Sequence, residues 1–157
     1  MSMMTEAQAR AILEKVVKMS VADECTASLD GSTNGNIRFA RNDVSTSGIV
    51  DDVELGVSVA FGKRSGAATI NQFDDESLER CVRRAEELAR LAPENPEFMP
   101  AIDKQAYKPS DTFSTSTAAI TPELRAKVAA ESIAASKAQS LVAASRTVEA
   151  DRSIHSL

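Results

Sequence analysis

Between Val53 and Gly62 the chain alternates without a break. Val53, Leu55, Val57, Val59 and Phe61 are apolar, while Glu54, Gly56, Ser58, Ala60 and Gly62 between them are small or polar. A period of two fits a strand and not a helix, because successive strand side chains point to opposite faces. The five apolar groups therefore share one face, and burying them is worth roughly 1.5–3 kcal/mol each. Gly56 weakens the strand by only about 0.5–1 kcal/mol. Gly62-Lys63-Arg64-Ser65-Gly66 then predicts a glycine-flanked hairpin turn, with Ala67 to Asn71 returning as a second strand. Phe73 leads at once into Asp74-Asp75-Glu76, an acidic helix start. A fold for this chain must lay a one-faced hairpin against the helix that follows it.

The remaining segments fill in around that unit. Thr5 with Gln8 three residues on predicts a capping box for a first helix to about Met19, with Ile12, Leu13, Val16 and Val17 as its stripe. Glu24 to Leu29 and Asn36 to Arg41 read as strands around a turn at Asp30-Gly31-Ser32-Thr33-Asn34-Gly35. Val44 to Val50 is a further strand, and Asp51-Asp52 a turn into the hairpin. The helix from Asp74 to about Leu91 carries Leu78, Cys81, Val82, Ala85, Leu88 and Ala89 on one side and ends before Pro93, Pro96 and Pro100. Residues 102–119 read as a polar surface loop. Thr121-Pro122 opens a last helix to about Gln139, followed by strands at Leu141 to Ala144 and Val148 to Ile154. The second of these has no visible partner before the chain ends. The sum is an α+β fold, a two-layer sandwich of mostly antiparallel sheet packed against helices.

Length and charge narrow the function. A chain of 157 residues suits a single domain. A net charge of −5, with basic residues scattered along helices, excludes a nucleic-acid surface, which needs clustered Lys and Arg. The N-terminal MSMMTEAQAR has no leader pattern, and no apolar run approaches the roughly 20 residues that span a bilayer. A cytoplasmic protein without membrane contact is expected.

Chemistry is hard to place on these residues. His155 is the single histidine, and Cys25 and Cys81 stand far apart outside any C-x-x-C spacing. Zinc needs three or four converging donors, and a Ser-His-Asp triad would rest on His155 near the chain end. The two cysteines read as free, partly buried thiols. Gly62 to Gly66 has three residues between its glycines and a strand after it, whereas a phosphate loop has four and a helix. Asp51-Asp52 and Asp74-Asp75 read as turn and cap residues. The expected site inventory is therefore empty: no catalytic, no cofactor-binding and no metal-binding residue in this chain.

Three stretches carry a family resemblance: Asn36 to Asn42 (NIRFARN), Val57 to Asn71 (VSVAFGKRSGAATIN) and Ala85 to Arg90 (AEELAR). With them the chain resembles the N-terminal domain of the TldD/PmbA family, metallopeptidase-related proteins once called modulators of DNA gyrase. Pro93 to Pro100 and Thr147 to Leu157 are similar too, the latter to the start of a strand that continues in full-length members. The resemblance implies a longer protein that pairs as a homodimer or as a heterodimer with a TldD/PmbA-type subunit and acts on small or unstructured peptides. It implies zinc on a His-Glu-x-x-x-His motif in catalytic subunits. This sequence has no His-Glu pair, so no family site residue carries over. The expectation is a single N-terminal domain over residues 1–157, a substrate-gating or scaffold part of a peptidase assembly, with 146–157 opening the next strand region. The alternative is a non-catalytic interaction module that assembles with a longer paralogue. Proteolysis would then belong to the full-length protein or its partner.

Overall fold

A computed structural model describes residues 4–102, 106, 108 and 114–156, with backbone alone over 149–156. The elements run α1 (Glu6–Met19), β1 (Glu24–Ala40), β2 (Asp43–Phe61), β3 (Arg64–Ile70), α2 (Asp75–Leu91), α3 (Thr115–Ala118), α4 (Pro122–Ala138) and β4 (Ser145–Ser156). The strands form one sheet in the order β3-β2-β1-β4. The fold is α+β, with an antiparallel sheet and helices packed on it, as the sequence predicts. The chain divides into two compact units: Met1–Gly31, Asp52–Pro109 and Ser153–Leu157 in one, Ser32–Asp51 and Ser110–Arg152 in the other.

The first unit is built on the alternating strand. Leu55, Val57 and Val59 are buried with Ala27 and Leu29 of β1, Leu13 and Val16 of α1, and Leu78, Val82, Ala85 and Ala89 of α2. Phe61 lies at the margin of this core, half-buried, with the Arg90 guanidinium 4.4 Å from its ring centre. Thr5 caps α1 as expected: its hydroxyl accepts from the Gln8 amide, and the Gln8 side chain accepts from the Thr5 amide at 2.9 Å. Asp74 caps α2, accepting from the Ser77 amide at 3.0 Å.

The hairpin turn is tighter than its glycines suggest. Phe61 pairs with Arg64, so the loop is Gly62-Lys63 alone, with Gly62 at φ 57°. Gly66 lies inside β3, opposite Val59. A β-carbon there would sit 2.5 Å from the Ala85 carbonyl oxygen and 2.9 Å from the Ala89 Cα of α2. The second glycine serves close approach of strand to helix and not the turn.

Two expected turns are absent. β1 runs unbroken through Asp30 to Gly35, and β2 through Asp51-Asp52. Positive φ in non-glycine residues occurs instead at Arg41 (54°), Asn42 (62°) and Ser140 (55°) among the described residues. Arg41-Asn42 is the two-residue loop between β1 and β2, of the mirror-image type that suits twisted hairpins. The polar residues of the supposed turn are held in extended form by strand neighbours: the Thr33 hydroxyl donates to the Asp51 carboxylate at 2.8 Å.

The second unit has its own small core, Ile37 and Phe39 of β1 against Ala129 and Ile133 of α4, with Ala143 beside them. Thr121 caps α4, with Pro122 in its first turn. Leu141 to Ala144 is not a strand. Asn42 takes up its backbone, donating to the Leu141 carbonyl at 2.9 Å and accepting from the Ala143 amide at 2.7 Å. β4 starts at Ser145 and lies beside β1, so the last strand does have a partner. The polar loop expected over 102–119 contains the short helix α3, and most of its first half lies outside the described residues.

The packing at Gly66 yields a direct expectation. Gly66→Ala forces β3 away from α2 and costs about 1–3 kcal/mol, the usual penalty for overpacking. Urea denaturation followed by circular dichroism measures it, and a variant as stable as the parent contradicts the close approach.

Candidate functional site

Two features of the first unit are organised enough to be weighed as sites. One is polar and buried under the sheet–helix core, and the other is a shallow hollow on the sheet surface.

The polar feature centres on Glu86 of α2, which is 1% exposed. One carboxylate oxygen accepts from the Val21 amide at 2.8 Å and the Ser20 hydroxyl at 3.2 Å. The other accepts from the Arg83 guanidinium at 2.9 Å, with Arg90 4.0 Å away. Arg83 also donates to the Met19 carbonyl at 3.1 Å. Burial alone would push the Glu86 carboxyl up; the Val21 amide, Arg83 and Ser20 outweigh it and hold the pKa below the usual glutamate range. Cys25 is half-buried nearby, and its thiol is pushed up by burial, with the Glu86 charge adding to the rise and a Ser20 hydrogen bond opposing it. The Cys81 thiol is raised by burial as well. Raised thiols are poor nucleophiles. The bonds from Ser20 and Val21 to Glu86, and from Arg83 to the Met19 carbonyl, lock the α1–β1 connection onto α2, so the cluster is a clamp, with Glu86 closed off from substrate.

The clamp was not legible beforehand. Its signal was a carboxylate four residues after Val82 and one after Ala85, within the apolar side of α2. Such a placement asks for a partner, but the sequence does not show that the partner is the backbone at Val21.

The hollow lies on the face of the hairpin turned away from the helices. Thr26 and Ser28 of β1, Gly56 and Ser58 of β2, and Ala67 and Thr69 of β3 line a cavity of about 210 Å³. The register places Gly56 opposite Thr69 and Ser58 opposite Ala67. Gly56 keeps the floor open, since a β-carbon there would lie 3.2 Å from the Ser28 hydroxyl oxygen. Small residues on this face follow from the same alternation that buries the other. Its walls offer hydroxyls and backbone but no histidine, thiol or carboxylate, so they cannot activate a nucleophile or hold a cation.

The residues first considered for chemistry remain apart. Among the described residues no group of three or more His, Cys, Asp and Glu converges on a metal position. The donors among the described residues do not fit the zinc that the family resemblance implies for an assembly. The side chain of His155 lies outside the described residues. Lys63 lies in the two-residue turn and Arg64 opens β3, and neither forms a phosphate cradle; Arg64 pairs with Glu94 at 3.5 Å. Asp74 is the helix cap expected of it, whereas Asp51 is a strand residue.

Comparison with known proteins places this geometry. Residues 26–89 match the family model described as PmbA/TldA metallopeptidase domain 1. Among solved structures, TldE from Thermococcus kodakarensis aligns with a TM-score of 0.74 at 12% identity, over 94% of this chain and 34% of that one. A protein described as a modulator of DNA gyrase from Bacteroides thetaiotaomicron aligns at 0.72 and 14% identity, over 99% of this chain and 37% of its own. A third, similarly described and from Thermotoga maritima, aligns at 0.63 and 11%, over 84% and 31%. At such identities the likeness is one of fold. The chain spans about a third of the length of these solved relatives. No curated protein matches it.

Glu86 makes a pH-dependent contribution whose sign is fixed. Its folded-state pKa is depressed, so the stabilisation is complete above the ordinary glutamate range and is lost as pH falls through the folded value. Glu86→Gln should cost about 1.5–3 kcal/mol at neutral pH, as for hydrogen bonds to a charged group, and should flatten the acid limb of the stability curve. Denaturation midpoints from neutral to acid pH test this; parallel curves for parent and variant contradict the clamp.

Proposed function

We propose, from the match to the first domain of the TldD/PmbA family, that this chain serves as the substrate-gating or scaffold domain of a peptidase-type assembly. In this reading the assembly handles small or unstructured peptides, and the zinc and the hydrolytic step belong to residues beyond this domain or to a partner subunit. The carrying observation is the match of residues 26–89 to the family's first domain, supported by fold likeness over nearly all of this chain and a third of its relatives. The hollow supports a non-chemical role, because its walls hold hydroxyls and small side chains and no general acid or base. The clamp at Glu86 supports a rigid framework, since it spends a buried charge on fixing a connection. Assembly with a TldD/PmbA-type subunit, as homodimer or heterodimer, belongs to the same proposal. So does a cytoplasmic location; no helix among the described residues is long and apolar enough to cross a membrane.

Co-expression with a TldD/PmbA-type subunit bearing the His-Glu-x-x-x-His motif tests the reading. The chain should co-purify with that subunit and change its cleavage of an unstructured peptide, while the chain alone cleaves nothing. Peptide hydrolysis by the chain alone, surviving repurification, would falsify the non-catalytic role; failure to bind any such subunit would remove the assembly.

A further inference from the structure

The hollow on the sheet surface has walls without charge, so its sign is set at the rim. Thr26, Ser58, Ala67 and Thr69 are exposed, and no described part of the chain fills the space between them. Alternation puts Glu54 on the same face of β2 as Gly56, about 7 Å from it along the strand. Asp52 follows two residues further out, still in the first unit. Both are exposed, and among the described residues neither has a hydrogen bond or an ion pair. On β1, Glu24 shares the face of Thr26 and accepts from the Ala101 amide, a neutral donor, at 3.1 Å. No lysine or arginine stands on this face of the described strands of the first unit. Arg64 belongs to the opposite face, where it pairs with Glu94 and donates to the Arg90 carbonyl. Lys63 is in the turn, roughly 20 Å from Gly56 along the strand.

This chemistry selects the occupant. A bare metal ion finds no ligand set here, since no group of donors converges among the described residues. An anion would meet Glu54 and Asp52 as like charges. A purely apolar side chain would cover the threonine and alanine methyls but leave the hydroxyls and Glu54 unused. A lysine side chain matches both parts, with an aliphatic stem for the methyls and an ammonium tip for the hydroxyls and the carboxylate. The cavity of about 210 Å³ leaves room for that stem, and the missing side chain of Gly56 opens its floor. We propose that the hollow with its Glu54 rim is a subsite for a lysine side chain on an extended, unstructured peptide. This deepens the scaffold reading by naming the class of peptide, and it rests on that reading for the peptide's place in an assembly; the binding itself belongs to this chain.

Three end-blocked Gly-Ser peptides, alike but for one central lysine, norleucine or serine, test it by NMR titration of the 157-residue chain. The lysine peptide should bind about fivefold more tightly than the norleucine one, the upper end of what an exposed ion pair gives. Norleucine, which keeps the stem, should in turn bind more tightly than serine. Amide shifts should centre on Thr26, Ser28, Gly56, Ser58, Ala67 and Thr69. Glu54→Gln should remove most of the preference for lysine over norleucine. Gly56→Ala, whose β-carbon intrudes on Ser28 at the floor, should weaken both of these peptides while circular dichroism stays unchanged. Equal binding of the lysine and norleucine peptides overturns the proposal, as does a preference that survives Glu54→Gln. Full binding by Gly56→Ala, shifts centred elsewhere or no binding at all overturns it too. None of these results bears on the co-expression test, so failure of the subsite and failure of the assembly are read separately.

Discussion

The contact between the β2–β3 hairpin and α2 governs the first unit. Leu55, Val57 and Val59 are covered by Leu78, Val82, Ala85 and Ala89, and the approach is so close at Gly66 that only hydrogen fits there. Small residues on both sides make that approach feasible, Gly66 and Ala68 on the strand and Ala85 and Ala89 on the helix. The same strand alternation that supplies this buried face leaves hydroxyls and a glycine on the other, so core and hollow are two consequences of one pattern. With α2 seated, Glu86 is positioned to hold the start of β1 through Val21, and the third strand is anchored in turn.

That order of dependence shapes the functional reading. A buried charge engaged by a backbone amide, a hydroxyl and an arginine has no remaining capacity to move protons for a substrate. The exposed hydroxyl face has capacity for hydrogen bonds but no group able to take a proton at neutral pH. Both properties suit a domain that shapes or restricts access while chemistry proceeds elsewhere.

Sequence patterning was a good guide wherever one local signal decided the structure. The alternation at 53–61, the capping box at Thr5, the Asp74 cap and the Thr121-Pro122 start each act over a few residues, and each element formed as read. Turn chemistry misled where neighbours overrode it. Asp30 to Gly35 contains residues that tolerate positive φ, yet strand pairing and the Thr33–Asp51 bond keep it extended. The real turn, Arg41-Asn42, carries no glycine, and arginine is an uncommon residue in that conformation. Gly66 was legible as special but not as a packing residue, since its reason lies in a helix almost twenty residues further on. The Glu86 clamp needed the three-dimensional path of α1 into β1, which no local signal in the sequence carries. Phe61, counted with the core by periodicity, lies at its margin under Arg90 because the strand ends there.

Native-state hydrogen exchange read residue by residue tests the central claim, that hairpin and α2 form one cooperative piece. Amides of Leu55–Phe61, Arg64–Ile70 and Asp75–Leu91 should exchange through a single opening, with one free energy and one dependence on denaturant. If β3 exchanges through a cheaper, separate opening while α2 stays protected, the strand does not depend on its contact with the helix and the account of the first unit fails.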